Sequence, residues 1–206
     1  MIGCYNYTVI LTYIGTFFGF MGITYTFSGS LRMALICLMI AGFCDMFDGK
    51  IASTMKRTKQ EKRFGIQIDS LSDLICFGVL PAMIGFQCSG GKLLHTFISA
   101  AYVLCALIRL AWFNVDEEER QDSEEKGRET YLGLPVTTAA LLLPLFVGVA
   151  QLLKLPVGQL CPWLLLIVAA AFITPFRLKK PHMLGKIVMV LCGAAALALV
   201  LIGVRV

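Results

Sequence analysis

Seven stretches of this chain approach the roughly 20 apolar residues that a helix needs to cross a bilayer. They lie at about 7–26, 31–48, 68–88, 94–113, 135–153, 160–176 and 184–204. In hydrocarbon a segment must satisfy its own backbone polar groups, so spans of this length read as helices. The sixth is short and stops at Pro175, which leaves a range of six to eight around the preferred seven. The chain is 58% hydrophobic, 15% charged and has a mean hydropathy of +0.79, a balance that excludes an ordinary soluble domain of 206 residues. The expected fold is an all-α polytopic membrane bundle, with residues 1–206 forming a single membrane domain.

Lysine and arginine are distributed unevenly between the two ends of such a bundle. Lys50, Lys56, Arg57, Lys59, Lys62, Arg63, Arg120, Lys126, Arg128, Arg177, Lys179, Lys180 and Lys186 fall on one side, against Arg32, Lys92, Lys154 and Arg205 on the other. The positive-inside rule puts the first side, and the N-terminus, in the cytoplasm. The first apolar run is long for a signal-peptide core, and Met1–Tyr7 has no Lys or Arg, so it is expected to persist as a helix. Trp112 and Trp163 suit an interfacial belt. The polar run at 116–129 is expected to be a solvated, partly helical cytoplasmic loop.

Four aspartates interrupt this apolar background in a fixed pattern: Asp45-x2-Asp48-Gly49-x2-Ala52, then Gly65-x3-Asp69-x3-Asp73. Carboxylates at membrane depth are costly, and they mark function by default. Spacings of three and four each put both groups on one helix face. Two such faces opposed would form a four-carboxylate cage, which needs cations to offset its repulsion. Oxygen-only ligands point to hard divalent ions, Mg²⁺ or Mn²⁺. Gly49, Ala52 and Gly65 clear the helix faces beside the acids, either for a ligand or for close helix packing. The basic segment Lys50–Arg63 beside the acids suits an anionic, phosphorylated substrate, although the same charges also set topology. Arg109, near the end of the fourth segment and at similar depth, is a candidate for binding a carboxylate or phosphate. Asn114, Ser70, Ser72 and Thr12 are weaker candidates. The eight cysteines are scattered through apolar segments without a C-x-x-C pair, and only His95 and His182 are present, which argues against a zinc site.

The stretches DMFDGKIAS and GIQIDSLSD resemble the CDP-alcohol phosphatidyltransferase signature, D-x2-D-G-x2-A-R, a spacer, then G-x3-D-x3-D. RFGIQIDSLSDLICFGVLPA, IRLAWFN at 108–114 and YLGLPVTTAA at 131–140 are further similar to the phosphatidylserine synthase branch of that family. The likeness runs from about residue 40 to 145, around the motif region 45–73. It implies two divalent ions held by Asp45, Asp48, Asp69 and Asp73, with Asp73 also acting as general base. It implies CDP-diacylglycerol as donor, contacted by Gly49, Ala52, Lys56, Arg57 and Gly65, and serine as acceptor, with Arg109 on the acceptor or a phosphate. A homodimer in a bacterial plasma membrane, with its site facing the cytoplasm, follows from the same resemblance; no nucleic-acid partner is expected.

Two positions depart from the pattern. Ser53 stands where the motif has arginine, and Trp112 where the R-L-A-R-F-N motif has its second arginine. In a helix continued past Ala52, Lys56 or Arg57 would lie about one turn on, close enough to replace the charge. Two other readings compete with serine transfer. One is the same chemistry with inositol phosphate or glycerol phosphate as acceptor, which would favour more cations near the site. The other is a cation transporter, which would favour inverted repeats and acids near the midplane.

Overall fold

The computed structural model describes residues 3–122, 130–179 and 183–204. After a 3₁₀ turn at Tyr7–Val9, helices α1 (Ile10–Phe27) and α2 (Leu31–Ala52) form a hairpin. Next comes a 30-residue rod, Lys59–Cys88, made of α3 (Lys59–Asp73), a π-helical segment (Leu74–Val79) and α4 (Leu80–Cys88). The chain continues through α5 (Leu93–Asp122), α6 (Ala139–Leu152), α7 (Val157–Ile173) and α8 (Met183–Gly203). The seven expected spans correspond to these seven rods. Three of them, Tyr7–Phe27, Lys59–Cys88 and Leu93–Glu119, are long and apolar enough by themselves to cross a membrane. The rods turn large apolar side chains outward, among them Phe17, Phe20, Phe43, Leu104, Ile167 and Ile202. Water would not tolerate so many exposed apolar side chains, and a bilayer requires them. The protein is a polytopic helical membrane bundle.

Three features depart most from the sequence reading. The third rod begins at Lys59 rather than 68, because Thr58 and Glu61 form a reciprocal capping box that starts the helix in the polar segment. The fourth continues through Asp122, well into the polar run at 116–129; residues 123–129 of that run lie outside the described residues. A short antiparallel ribbon, β1 (Thr130–Leu132) with β2 (Arg177–Lys179), was not anticipated. Its exit is set by Gly133 at φ +72°, where a Cβ would sit 3.1 Å from the carbonyl oxygens of Phe172 and Thr174.

Small residues decide how closely the rods approach. A Cβ on Gly19 would lie 2.6 Å from Cys76 Sγ, and one on Gly22 would lie 2.7 Å from Leu80 Cδ2. Gly15 faces Cys44. This glycine stripe seats α1 between α2 and the third rod, as small residues do in membrane bundles. Gly42 allows α2 to meet Ala140 of α6, and Gly158 brings the start of α7 onto the carbonyl of Cys88.

The π segment has a local cause. Pro81 has no N–H, so it cannot bond the Phe77 carbonyl one turn back. The helix widens instead, with the Leu80 N–H bonding Ile75 O. The buried Tyr102 of α5 donates its hydroxyl to Phe77 O at 2.9 Å and packs on Phe172 of α7. This joint lies immediately after Asp73 and ties the third rod to α5.

Three stability outcomes follow, each measured by thermal unfolding in detergent. Tyr102→Phe should cost about 1–3 kcal/mol, because it leaves a buried carbonyl unpaired. Gly158→Ala should cost a similar amount, about 1–3 kcal/mol, by forcing α7 off α4. Gly193→Ala on α8, with nothing within 4 Å of a new Cβ, should be neutral or slightly stabilising.

Candidate active site

Asp45 and Asp48 lie near the C-terminal end of α2, and Asp69 and Asp73 lie in the second half of α3. The two helices present them in opposite order. Asp48 meets Asp69 and Asp45 meets Asp73, each pair within side-chain hydrogen-bonding reach. Ligand oxygens of Asp45, Asp48 and Asp69 all lie within 4.8 Å of one another. Asp73 joins this group through Asp45. The spacings of three and four therefore produce the opposed faces expected of them.

Whether a divalent cation fits is decided by the donor set. All the ligand atoms are carboxylate oxygens, as hard ions prefer, and they converge at a separation that one ion can bridge. Four carboxylates this close are incompatible with full ionisation unless positive charge lies between them. The cluster is suited to holding divalent cations.

Helix α1 supplies the outer support. Thr12 Oγ1 donates to Asp48 Oδ2 at 3.3 Å. One turn on, Thr16 Oγ1 contacts Ser72 Oγ at 2.7 Å and bonds the Thr12 carbonyl at 2.8 Å. Thr12 is thus placed on a carboxylate. Thr16 was not picked out from the sequence, although two threonines four apart in an apolar helix were the available signal. On the other side of α3, Ser70 donates to Asn114 Oδ1, Asn114 donates to Gln67 at 3.3 Å, and Gln67 donates to Glu118 at 3.1 Å. This ladder fixes α5 against α3 beside the carboxylates. Gln67 and Glu118 were missed because their role depends on a partner more than forty positions away.

The glycines differ from one another. Nothing lies within 4 Å of a Cβ position at Gly49, so the backbone beside Asp48 is open. At Gly65 the corresponding space is taken by Arg57, whose Nη1 lies 3.1 Å from that position. Ala52 is the last residue of α2. The helix does not continue past it: Ser53 Oγ and Thr54 Oγ1 bond back to the carbonyls of Lys50 and Ile51. A continued helix, the condition on which Lys56 or Arg57 would lie one turn past Ala52, is therefore not what the chain forms. Lys56 is exposed, and Arg57 arrives through the loop. Arg109 is buried on α5, with its Nε donating to the Leu134 carbonyl at 3.3 Å.

Thr12→Val removes the donor that orients Asp48. It should weaken Mn²⁺ binding, followed by electron paramagnetic resonance of the free ion, by about 10-fold or more. Thr24→Val, at an exposed hydroxyl bonded to its own helix, should leave binding unchanged.

The chain is similar to known proteins. The family model described as CDP-alcohol phosphatidyltransferase matches residues 5–176. The CDP-diacylglycerol–serine O-phosphatidyltransferase of Helicobacter pylori is 31% identical over 145 residues, covering 69% of this chain and 57% of the relative. The protein of that name in Saccharomyces cerevisiae is 38% identical over 108 residues, 51% of this chain and 38% of the relative. The one in Bacillus subtilis is 26% identical over 180 residues, 86% of this chain and 91% of the relative. The chain thus spans little more than half of the Helicobacter relative and less of the yeast one. With the signature aspartates opposed on α2 and α3 and the family match running through all but the last helix, the chain belongs to the CDP-alcohol phosphatidyltransferase family.

Proposed function

We propose that this protein transfers a phosphatidyl group from CDP-diacylglycerol to L-serine, yielding phosphatidylserine and CMP. The reading is carried by the opposed pairs Asp48–Asp69 and Asp45–Asp73 beside the open backbone of Gly49. The names of the relatives supply the donor and the acceptor. When bound, Mg²⁺ or Mn²⁺ ions held by Asp45, Asp48, Asp69 and Asp73 would supply positive charge to the diphosphate and to the departing CMP.

The chain's own groups do the rest. Gly49 and Ala52 leave room for the nucleotide along the end of α2. Asp73 accepts a hydrogen bond from the serine hydroxyl, orients it, and receives its proton as the oxygen attacks the phosphorus bearing diacylglycerol. A new P–O bond to serine forms, the P–O bond to CMP breaks, and CMP leaves as the phosphate monoester. Arg109 faces the acceptor from α5 and meets its carboxylate through the guanidinium fork. Thr12 holds Asp48 in place, and the Ser70–Asn114–Gln67 ladder keeps α5 against the reacting helix. The lysine and arginine distribution supports a cytoplasmic site, and the bacterial relatives support a bacterial plasma membrane. A homodimer is part of the same proposal.

The test is CMP release by purified protein in detergent with CDP-diacylglycerol, comparing serine, glycerol 3-phosphate, inositol phosphate and no acceptor. Serine should be required. Chelation by EDTA should abolish turnover, and excess Mn²⁺ or Mg²⁺ should restore it. Asp73→Asn should lower kcat by about 10²–10⁴-fold. Release only with a phosphorylated acceptor would retain the reaction class and overturn serine. Release with no acceptor, surviving Asp73→Asn, would overturn the mechanism.

A further inference from the structure

We propose that Arg57 is the cation that meets the diphosphate of the donor in this chain, relocated from the motif position now held by Ser53, and that the segment before α1 positions it. The inference rests on the donor reading above and assigns one residue and its supports within it.

Position 53 cannot supply the charge. Ser53 is exposed, and its Oγ is turned back onto the Lys50 carbonyl at 2.6 Å. The chain bends there and returns toward α3. On the way, Arg57 lays its guanidinium over Gly65, with Nη1 3.1 Å from where a Cβ would stand. Gly65 and Asp69 are four apart in α3 and share a face. The guanidinium therefore sits one helical turn from the carboxylate cluster. Its Nε is buried and has no hydrogen-bond partner among the described residues. A buried N–H without an acceptor is unfavourable unless a ligand supplies one. A planar guanidinium beside a divalent-cation cage matches a diphosphate, whose oxygens can bridge the ions and accept from the arginine together. Lys56, one residue earlier, is exposed.

The loop holding Arg57 is tied down at both ends. Glu61 caps Thr58 directly after it and accepts from Asn6 Nδ2 at 3.3 Å. Tyr7 Oη and Thr54 Oγ1 are 3.1 Å apart before it. Asn6 and Tyr7 immediately precede α1, the helix that also brings Thr12 to Asp48. One element thus sets both a carboxylate and the loop that carries the arginine. Asn6, Tyr7 and Glu61 are positioning residues, and Arg57 touches the substrate.

The experiment uses the full chain in detergent with two readouts: CMP release against CDP-diacylglycerol concentration, and equilibrium binding of CDP with Mn²⁺ in the absence of acceptor. R57A should raise the KM for CDP-diacylglycerol and the Kd for CDP by about 10-fold or more, and K62A, at an exposed lysine of α3, should change either by less than about twofold. Adding S53R to R57A should recover most of the loss. Asn6→Ala should raise KM and leave kcat in place, as expected of a residue that only positions the loop. Should R57A fail to fold by thermal unfolding, R57K carries the test, since it keeps the charge and loses the fork; it should still weaken CDP binding. Equal effects of R57A and K62A, or an R57A effect that S53R does not rescue, would overturn the proposal. If serine-dependent release fails while CDP binding still depends on Arg57, the acceptor reading falls and the arginine assignment stands. If release succeeds and R57A is silent, the reverse holds.

Discussion

Four carboxylates held within touching distance at one end of a membrane bundle are the constraint around which the rest is arranged. Two like charges 4 Å apart repel by about 4 kcal/mol at the effective dielectric typical of proteins, and here the contacts come as two pairs. Such a cluster persists only if rigid helices hold it and a cation offsets it. The rigidity comes from backbone proximity. The Gly15, Gly19 and Gly22 stripe lets α1 sink between α2 and the third rod, and that depth lets Thr12 reach Asp48. A larger residue at Gly19 would displace Cys76, only three positions beyond Asp73, and so loosen the site through packing alone.

The π segment has a related role. It begins directly after Asp73 and is closed by Tyr102 of α5 on the Phe77 carbonyl. A π turn shifts the helix phase, so the face of α3 that carries aspartates need not be the face that α4 packs on α7. The rod can turn Asp69 and Asp73 toward α2 and still bury Leu80 and Ile84 further along. The widened turn thus lies directly beside the candidate site, as is frequent for π bulges.

How much of this was legible from residues alone depends on the range of the interactions. The seven rods were readable because apolar length is a local property, and the opposed acids were readable because helical spacing is. The end of α2 was not. Lys-Ile-Ala-Ser-Thr does not forbid a helix, and only the back-bonding of Ser53 and Thr54 ends it there. The widening at Pro81 was half visible, since proline announces a lost bond but not the tyrosine that compensates it. The ribbon between β1 and β2 joins segments 49 positions apart at its Thr130–Lys179 pair, and no local pattern encodes that. Gln67 and Asn6 look like ordinary surface residues until their partners are known.

The glycines of the signature show why similar motif positions should not share one explanation. Gly49 follows Asp48 directly and Gly65 lies four residues before Asp69, and both were read as clearing the helix face for a ligand or for packing. In the fold, one clears space for whatever enters, and the other clears space for a side chain of the same protein. The Arg57 guanidinium lies where a Cβ at Gly65 would crowd it, so this glycine and the loop arginine belong to one arrangement. Two glycines beside aspartates of one signature thus do different work, one leaving the backbone open and the other seating an internal side chain.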